Sequence, residues 1–142
     1  MITNVHLVTV YVDDLDEAKA FYTDKLGFTL KNDITLSEDF RWITVHQPDH
    51  PELELALMLP GPPMDPESAE SIRRIMAKGM MHGVGLATDN CHKTFADLKA
   101  KGVDHIQEPS DRPYGIEAVL RDNSGNWLVL VEQKPYAAED FT

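Results

Sequence analysis

The chain has 142 residues, of which 42% are hydrophobic and 26% charged, and this balance predicts one compact domain rather than two. Thirteen basic residues against 24 acidic ones leave a net charge of −11, which disfavours nucleic acid and anionic lipid as partners. No apolar run is long enough for a membrane span and no cleavable signal pattern opens the chain, so neither membrane insertion nor secretion is expected. The single cysteine, Cys91, excludes an intrachain disulfide and fits a cytoplasmic protein.

An internal repeat divides the chain. In the first copy, residues 7–12 alternate as in a strand, Asp13 follows, and an amphipathic helix then runs to Gly27. The same order leads to Asp89 and Gly102 in the second copy, which is one residue shorter between these two positions. The repeat therefore predicts two related modules.

Each copy predicts the element order β-α-β-β-β. Asp14 and Glu17 have the spacing of a capping box, and Gly27 is placed to end the helix. The later strands are predicted at 28–32, 40–46 and 52–59 in the first copy and at 103–107, 116–121 and 126–132 in the second. Asp65 and Pro66 begin a short linker helix after a proline-rich break. We expect a single domain at 1–133 (module one 1–60, linker helix 61–80, module two 81–133) and a loose tail at 134–142.

Two segments carry a resemblance to a known family. Residues 13–22, Asp-Asp-Leu-Asp-Glu-Ala-Lys-Ala-Phe-Tyr, with Leu-Gly-Phe at 26–28, resemble the first-helix signature of the vicinal oxygen chelate superfamily. That superfamily contains glyoxalase I, extradiol dioxygenases, fosfomycin-resistance enzymes and bleomycin-resistance binding proteins. Residues 121–126, Arg-Asp-Asn-Ser-Gly-Asn, are similar to its closing turn, and the resemblance covers residues 3–133. It implies an α+β fold in which two βαβββ modules form curved mixed sheets around a cleft, usually completed in a homodimer.

The resemblance also implies where a metal would bind. Metal enzymes of the superfamily place a ligand, typically His or Glu, in the first and last strands of each module. The equivalent positions in this chain are Leu7, Glu54, Gly83 and Val129. Because only Glu54 has a ligand-type side chain, we expect no metal and no other cofactor.

His6 and His82 lie beside two of the expected ligand positions. Strand alternation puts His6 on the all-valine face of the first strand, which suits the core, and the same alternation applies to His82. We therefore expect both histidines on the helix side or at a strand edge, although a strand bulge would turn either toward the cleft. The alternative function, a metal-dependent lyase, isomerase or dioxygenase, would use them together with Glu54.

The predicted cleft wall is large, apolar and aromatic, and glycines at 83 and 85 would open volume within it. The predicted ligand-binding residues are Tyr11, Trp42, Glu54, Met58, Gly83, Gly85, Tyr114, Trp127 and Val129. Each tryptophan either contacts ligand or packs at a dimer interface, and Glu54 either orients a ligand or is an exposed strand glutamate. Residues 111–114 form either a mobile loop over the cleft or an ordinary loop.

These features favour a metal-independent protein that sequesters an aromatic or cationic natural product in a dimer groove, with no catalytic residues. A metal-free enzyme with Glu54 or His46 as general base is a third hypothesis. The sequence contains no Gly-rich phosphate loop, no Gly-x-Ser-x-Gly and no Cys-x-x-Cys, so nucleotide-binding, serine-hydrolase and zinc-ribbon functions have no support.

Overall fold

A computed structural model describes residues 1–141, which form two four-stranded mixed sheets and three α-helices. The first sheet contains β1 (Leu7–Tyr11), β2 (Thr29–Ser37), β3 (Phe40–Gln47) and β4 (His50–Met58). The second contains β5 (His82–Ala87), β6 (His105–Arg112), β7 (Gly115–Arg121) and β8 (Trp127–Gln133). The orders β1-β4-β3-β2 and β5-β8-β7-β6 are equivalent, and β1 and β5 are the strands that pair in parallel. The predicted α+β fold of two βαβββ modules is confirmed.

The helices begin and end where the sequence predicts. They are α1 (Leu15–Ala20), which continues into a π-helical turn (Phe21–Lys25), α2 (Pro66–Ala77) and α3 (Cys91–Ala100). The Asp14 side chain caps α1 by accepting a hydrogen bond from the Glu17 amide at 2.9 Å. Gly27 and Gly102 follow their helices with φ of 76° and 84°, a conformation that favours glycine. The π-helical turn has no counterpart in α3, which accounts for the one-residue difference between the copies.

Two strands extend further than predicted because bulges interrupt their alternation. The pairing of β2 with β3 shifts between Leu30 and Asn32, and that of β6 with β7 shifts twice. As a result β6 continues through Asp111 to Arg112, which pairs with Gly115. The predicted loop at 111–114 is therefore wrong, since only residues 113 and 114 lie in the turn of a tight hairpin.

One hydrophobic core lies between the two sheets. Its members come from the helix-facing sides of both sheets and from the helices between them, among them Val10, Val12, Leu55, Leu57, Phe21, Cys91, Leu98, Leu128 and Leu130. Cys91 is a free, buried thiol in this core, as its position in the apolar helix stripe predicts. Because both sheets turn the same type of face inward, their other faces point outward on opposite sides of the chain. Within residues 1–141, these two outward faces therefore do not line a common groove.

A buried polar cluster, here called the module junction, joins β1 and the first helix of module one to the β7–β8 turn. The Tyr22 hydroxyl donates to Asp122 Oδ2 at 2.7 Å, and the Asn126 amide donates to the Tyr11 carbonyl at 2.7 Å. Ser124 Oγ accepts from the Asp13 amide at 3.0 Å. The predicted closing turn at 121–126 therefore holds the two modules together.

Helix α2 connects the modules and ends against the second sheet. Asp65 caps it by accepting from the Ser68 amide at 2.9 Å, with Pro66 in the first turn as predicted. At its other end the Gly79 carbonyl accepts from the Trp127 indole at 2.6 Å and from Arg121 at 2.9 Å. Within the residues described, no helix has both the length and the apolar character to cross a membrane.

Candidate ligand-binding site

The first sheet carries an outward face, here called the first cleft face, that is opposite the core. Tyr11 pairs with Met58 and Leu7 with Glu54, while the alternate residues of these strands enter the core. The structure therefore places Tyr11, Glu54 and Met58 on one face, as the alternation predicts. All three are partly buried.

Aromatic and aliphatic side chains cover one end of the first cleft face. The Trp42 ring stacks on Phe40 with centroids 6.4 Å apart and an interplanar angle of 29°. Ile34 pairs with Trp42 across β2 and β3. Phe40 and Ile34 were not among the predicted site residues, although Phe40 could have been found from its spacing of two from Trp42 in a strand.

The opposite end of this face is charged. Lys31 Nζ lies 3.0 Å from Glu54 Oε2, and their side chains are 49% and 13% exposed. Hydrogen bonding from Lys31 lowers the pKa of Glu54 below its usual value, so the carboxylate is held in its charged form. Glu54 is thus neither a free acceptor nor a simple exposed glutamate, because its charge is compensated by a lysine that the sequence did not single out.

A β-bulge explains how Lys31 reaches across the sheet. Leu30 pairs with Val45 and Asn32 pairs with Thr44, so Lys31 is the extra residue between two consecutive pairs. The bulge turns its side chain to the cleft face and over β3 toward β4. Between the two ends of the face, Asn32 Nδ2 donates to the buried Thr44 hydroxyl at 2.9 Å.

The second sheet presents a different outward face, which contains Gly85, Trp127 and Val129, while Gly83 lies in the bulge of β5 beside the backbone of β8. A Cβ on Gly83 would lie 2.8 Å from the Trp127 carbonyl oxygen, whereas one on Gly85 would meet nothing within 4 Å. The prediction that both glycines widen the groove is therefore wrong for Gly83, where glycine permits the close approach of β8. The Trp127 indole N–H donates to the Gly79 carbonyl, so Trp127 has a packing role at the end of α2.

The two candidate histidines have different surroundings. The pairing of β5 with β8 shifts between His82 and Gly85, and the His82 ring lies 4.8 Å from that of Trp127. The bulge turns His82 toward Trp127 at the strand edge, which is one of the two positions expected for this histidine. β1 pairs without a shift from Leu7 onward, and His6 is exposed just before it. Across residues 1–141, no three His, Cys, Asp or Glu side chains are grouped so that they could hold a metal ion.

Tyr114 lies in the β6–β7 hairpin and its hydroxyl already has a partner. It donates to Glu117 Oε2 at 2.6 Å, and Arg112 lies 3.6 Å from the same carboxylate group. The Phe141 ring, from a 3-10 helical turn at Ala138–Phe141, stacks on the Tyr114 ring with centroids 6.3 Å apart. These contacts fix Tyr114 within the second module.

A cavity of about 820 Å³ lies between the helix-facing sides of the two sheets, away from the first cleft face. Its apolar lining includes Val8, Phe28, Leu55, Leu86, Leu98 and Leu130. Gln47 at the end of β3 and His50 and Glu52 at the start of β4 lie at its polar side. Of the predicted ligand-binding residues, it contains Gly85 alone.

Comparisons with known proteins agree with this architecture. The family model described as Glyoxalase/Bleomycin resistance protein/Dioxygenase superfamily matches residues 4–130. The protein YurT of Bacillus subtilis (strain 168) is 33% identical over 130 residues, which are 89% of this chain and 97% of YurT.

Two solved structures are also similar. The structure of UcmS2 superposes with a TM-score of 0.87 at 44% identity and covers 94% of this chain and all of its own. TnmS3, described as an antibiotic binding protein from Streptomyces sp. CB03234, superposes with a TM-score of 0.74 at 30% identity, covering 94% of this chain and 98% of its own. The chain belongs to the glyoxalase/bleomycin resistance protein/dioxygenase superfamily.

Proposed function

We propose that this protein is a metal-independent binding protein that sequesters a small aromatic natural product in the cytoplasm. The observation that carries the proposal is the composition of the first cleft face. Trp42 and Phe40 form an aromatic platform there, and Glu54, the one ligand-type residue among the four expected metal positions, is paired with Lys31. Aromatic faces beside a few oriented polar groups are typical of small-molecule sites. The antibiotic-binding description of TnmS3 supports this choice among the functions of the superfamily.

The local charge favours an aromatic ligand over a cationic one. The net charge of −11 attracts cations at long range, but salt screens that attraction beyond about 10 Å. Within the site the Glu54 charge is already balanced by Lys31 at 3.0 Å. A cation would therefore gain less from contact with Glu54 than it would from an unpaired carboxylate.

The working unit that we propose is a homodimer. Among the residues that the structure describes, β1 and β5 are outer strands of their sheets, so one edge of each has no neighbouring strand. Val8 on β1 is 39% exposed, and it lines the cavity between the modules together with Leu86 of β5. A second copy that lays its β5 beside β1 would cover these edges and bring a second-module face opposite the first cleft face.

Metal content is the first test. Protein purified without chelator or histidine tag is expected to carry less than stoichiometric Ni, Zn, Mn or Fe, and its melting temperature should not rise when these ions are added. One tightly held divalent ion per subunit, lost in the His6→Ala/His82→Ala double variant, would instead establish the metal-dependent alternative. The bulge at His82 makes that alternative worth testing.

Ligand binding is tested with the two tryptophans. Polycyclic aromatic probes should quench the fluorescence of the Trp127→Phe variant, in which Trp42 is the remaining tryptophan. The matched Trp42→Phe variant should show little quenching, and mass spectrometry should recover the probe unchanged. Quenching confined to Trp127, or chemical conversion of the probe, would contradict the proposed site or the proposed sequestration.

Sedimentation should give the dimer mass at micromolar concentration, and a monomer would contradict the shared groove.

A further inference from the structure

The first cleft face changes in character along its strands. At one end are the charged Lys31 and Glu54, in the middle the hydrogen-bonded Asn32 and Thr44, and at the other end Trp42 with its aromatic and aliphatic neighbours. Glu54 and Met58 are four residues apart in β4, so the charged and aromatic ends are separated by about 13 Å. One aromatic ring cannot reach both ends, whereas a polycyclic ligand can.

The charged end offers donors rather than a free carboxylate. An ammonium group has three N–H donors, and within the described residues Lys31 Nζ has one partner, Glu54 Oε2. The Lys31 side chain is 49% exposed, so its pairing with Glu54 leaves it accessible from the open cleft face. Glu54 is 13% exposed, and its salt bridge with Lys31 restrains the position of the lysine.

Since the bulge positions Lys31 and Glu54 fixes it, we propose that Lys31 is the specificity-determining residue of this site and selects a polycyclic aromatic ligand that bears a carbonyl or phenolic oxygen on one edge. The inference rests on the proposed function. The aromatic end contributes binding affinity for any flat apolar molecule and does not discriminate between them. Lys31 donates to the ligand oxygen and thereby fixes which edge of the ligand points toward β1.

The test uses three tricyclic probes and four proteins. Fluorenone and fluorene differ by a carbonyl in place of a methylene, and 9-aminoacridine is a cation of similar shape at neutral pH. The proteins are the native chain, Lys31→Met, Lys31→Arg and the control Lys19→Met. Lys19 is matched to Lys31 because it also pairs with a carboxylate, Asp33 at 2.7 Å, but on the other side of the sheet.

Equilibrium dialysis should show that the native protein binds fluorenone at least about fivefold more tightly than fluorene, since a hydrogen bond from a charged donor is a strong one. Lys31→Met should abolish or reverse this preference and should also tighten 9-aminoacridine binding, because Glu54 loses its counter-charge. Lys31→Arg and Lys19→Met should keep the native preference. A general structural defect would weaken all three probes and would not raise the affinity for the cation.

Two failures are distinguishable. If no probe binds the native protein, the proposed aromatic site fails and the inference fails with it. If fluorene and fluorenone bind equally well, or if Lys31→Met weakens both in the same ratio, the aromatic site stands and the inference about Lys31 is refuted.

Discussion

The hydrogen bond between Tyr22 and Asp122 gives the sharpest test of how the modules are held together. Tyr22 is fully buried, and its hydroxyl donates to Asp122 Oδ2 at 2.7 Å. Burial, followed by the charge of Asp122, raises the pKa of Tyr22 well above its usual value, so the hydroxyl stays protonated. Tyr22→Phe removes this one oxygen and leaves the ring in place.

The expected loss of stability depends on the hydrogen bonds that Asp122 keeps. Asp122 keeps hydrogen bonds from the Ser124 amide, the Asn126 amide and the Asn126 side chain, each at 2.9 Å. A hydrogen bond to a charged group contributes about 1.5–3 kcal/mol, and the remaining donors favour the lower half of that range. We expect Tyr22→Phe to lower the free energy of unfolding by about 2 kcal/mol, a fall of roughly 8 °C in melting temperature for a chain of this size.

The measurement is urea unfolding at fixed protein concentration, with Tyr114→Phe as the control. Tyr114 also donates to a carboxylate, Glu117 at 2.6 Å, but it is only partly buried, so its loss should cost less than about 1 kcal/mol. Equal losses of unfolding free energy in the two variants would refute the argument that burial makes the Tyr22 hydrogen bond the more stabilising of the two. In an alkaline absorbance titration of the native protein, Tyr22 should be the last of the four tyrosines to ionise.

Two further predictions concern glycine and pH. Gly83→Ala should destabilise the fold by about 1–3 kcal/mol because its Cβ would press on the Trp127 carbonyl, whereas Gly85→Ala should change thermal unfolding little; similar melting temperatures would contradict this reading. Hydrogen bonds from Arg41, and then from Lys19, lower the pKa of Asp33, so its stabilising effect is complete above about pH 5 and declines as the pH falls below about 4. The stability difference between native protein and Asp33→Asn, measured by urea unfolding, should therefore narrow between pH 5 and about pH 3, and a constant difference would refute the assignment.

The fold could be predicted because several independent signals agree. The repeat gave the module order, and hydrophobic alternation placed Val10 and Leu55 in the core and Tyr11 on the outward face. Asp14 and Gly27 marked the ends of the first helix by requirements of backbone geometry that are local in sequence. Such local rules transfer directly from sequence to structure.

The site was predicted less well because bulges decide its details. The extra residue in β2 brings Lys31 to Glu54, and the one in β5 turns His82 toward Trp127. A single inserted residue reverses which face a side chain occupies, and the sequence pattern on either side does not reveal where the insertion falls. Alternation alone therefore identified Glu54 as a cleft residue but missed the partner that neutralises it.

The two ends of the core differ in a way that bears on assembly. At one end Tyr22 reaches Asp122 and closes the contact between the modules. Leu98 stands at the same distance after Asp89 as Tyr22 does after Asp13, and it lines the cavity instead of bridging to the β3–β4 turn. The two copies of the repeat therefore differ. A buried polar contact joins the modules at one end of the core, and an apolar cavity lies between them at the other. Polar contacts at both ends would close the core within one chain, whereas an apolar opening at one end is what the proposed homodimer would cover with a second copy.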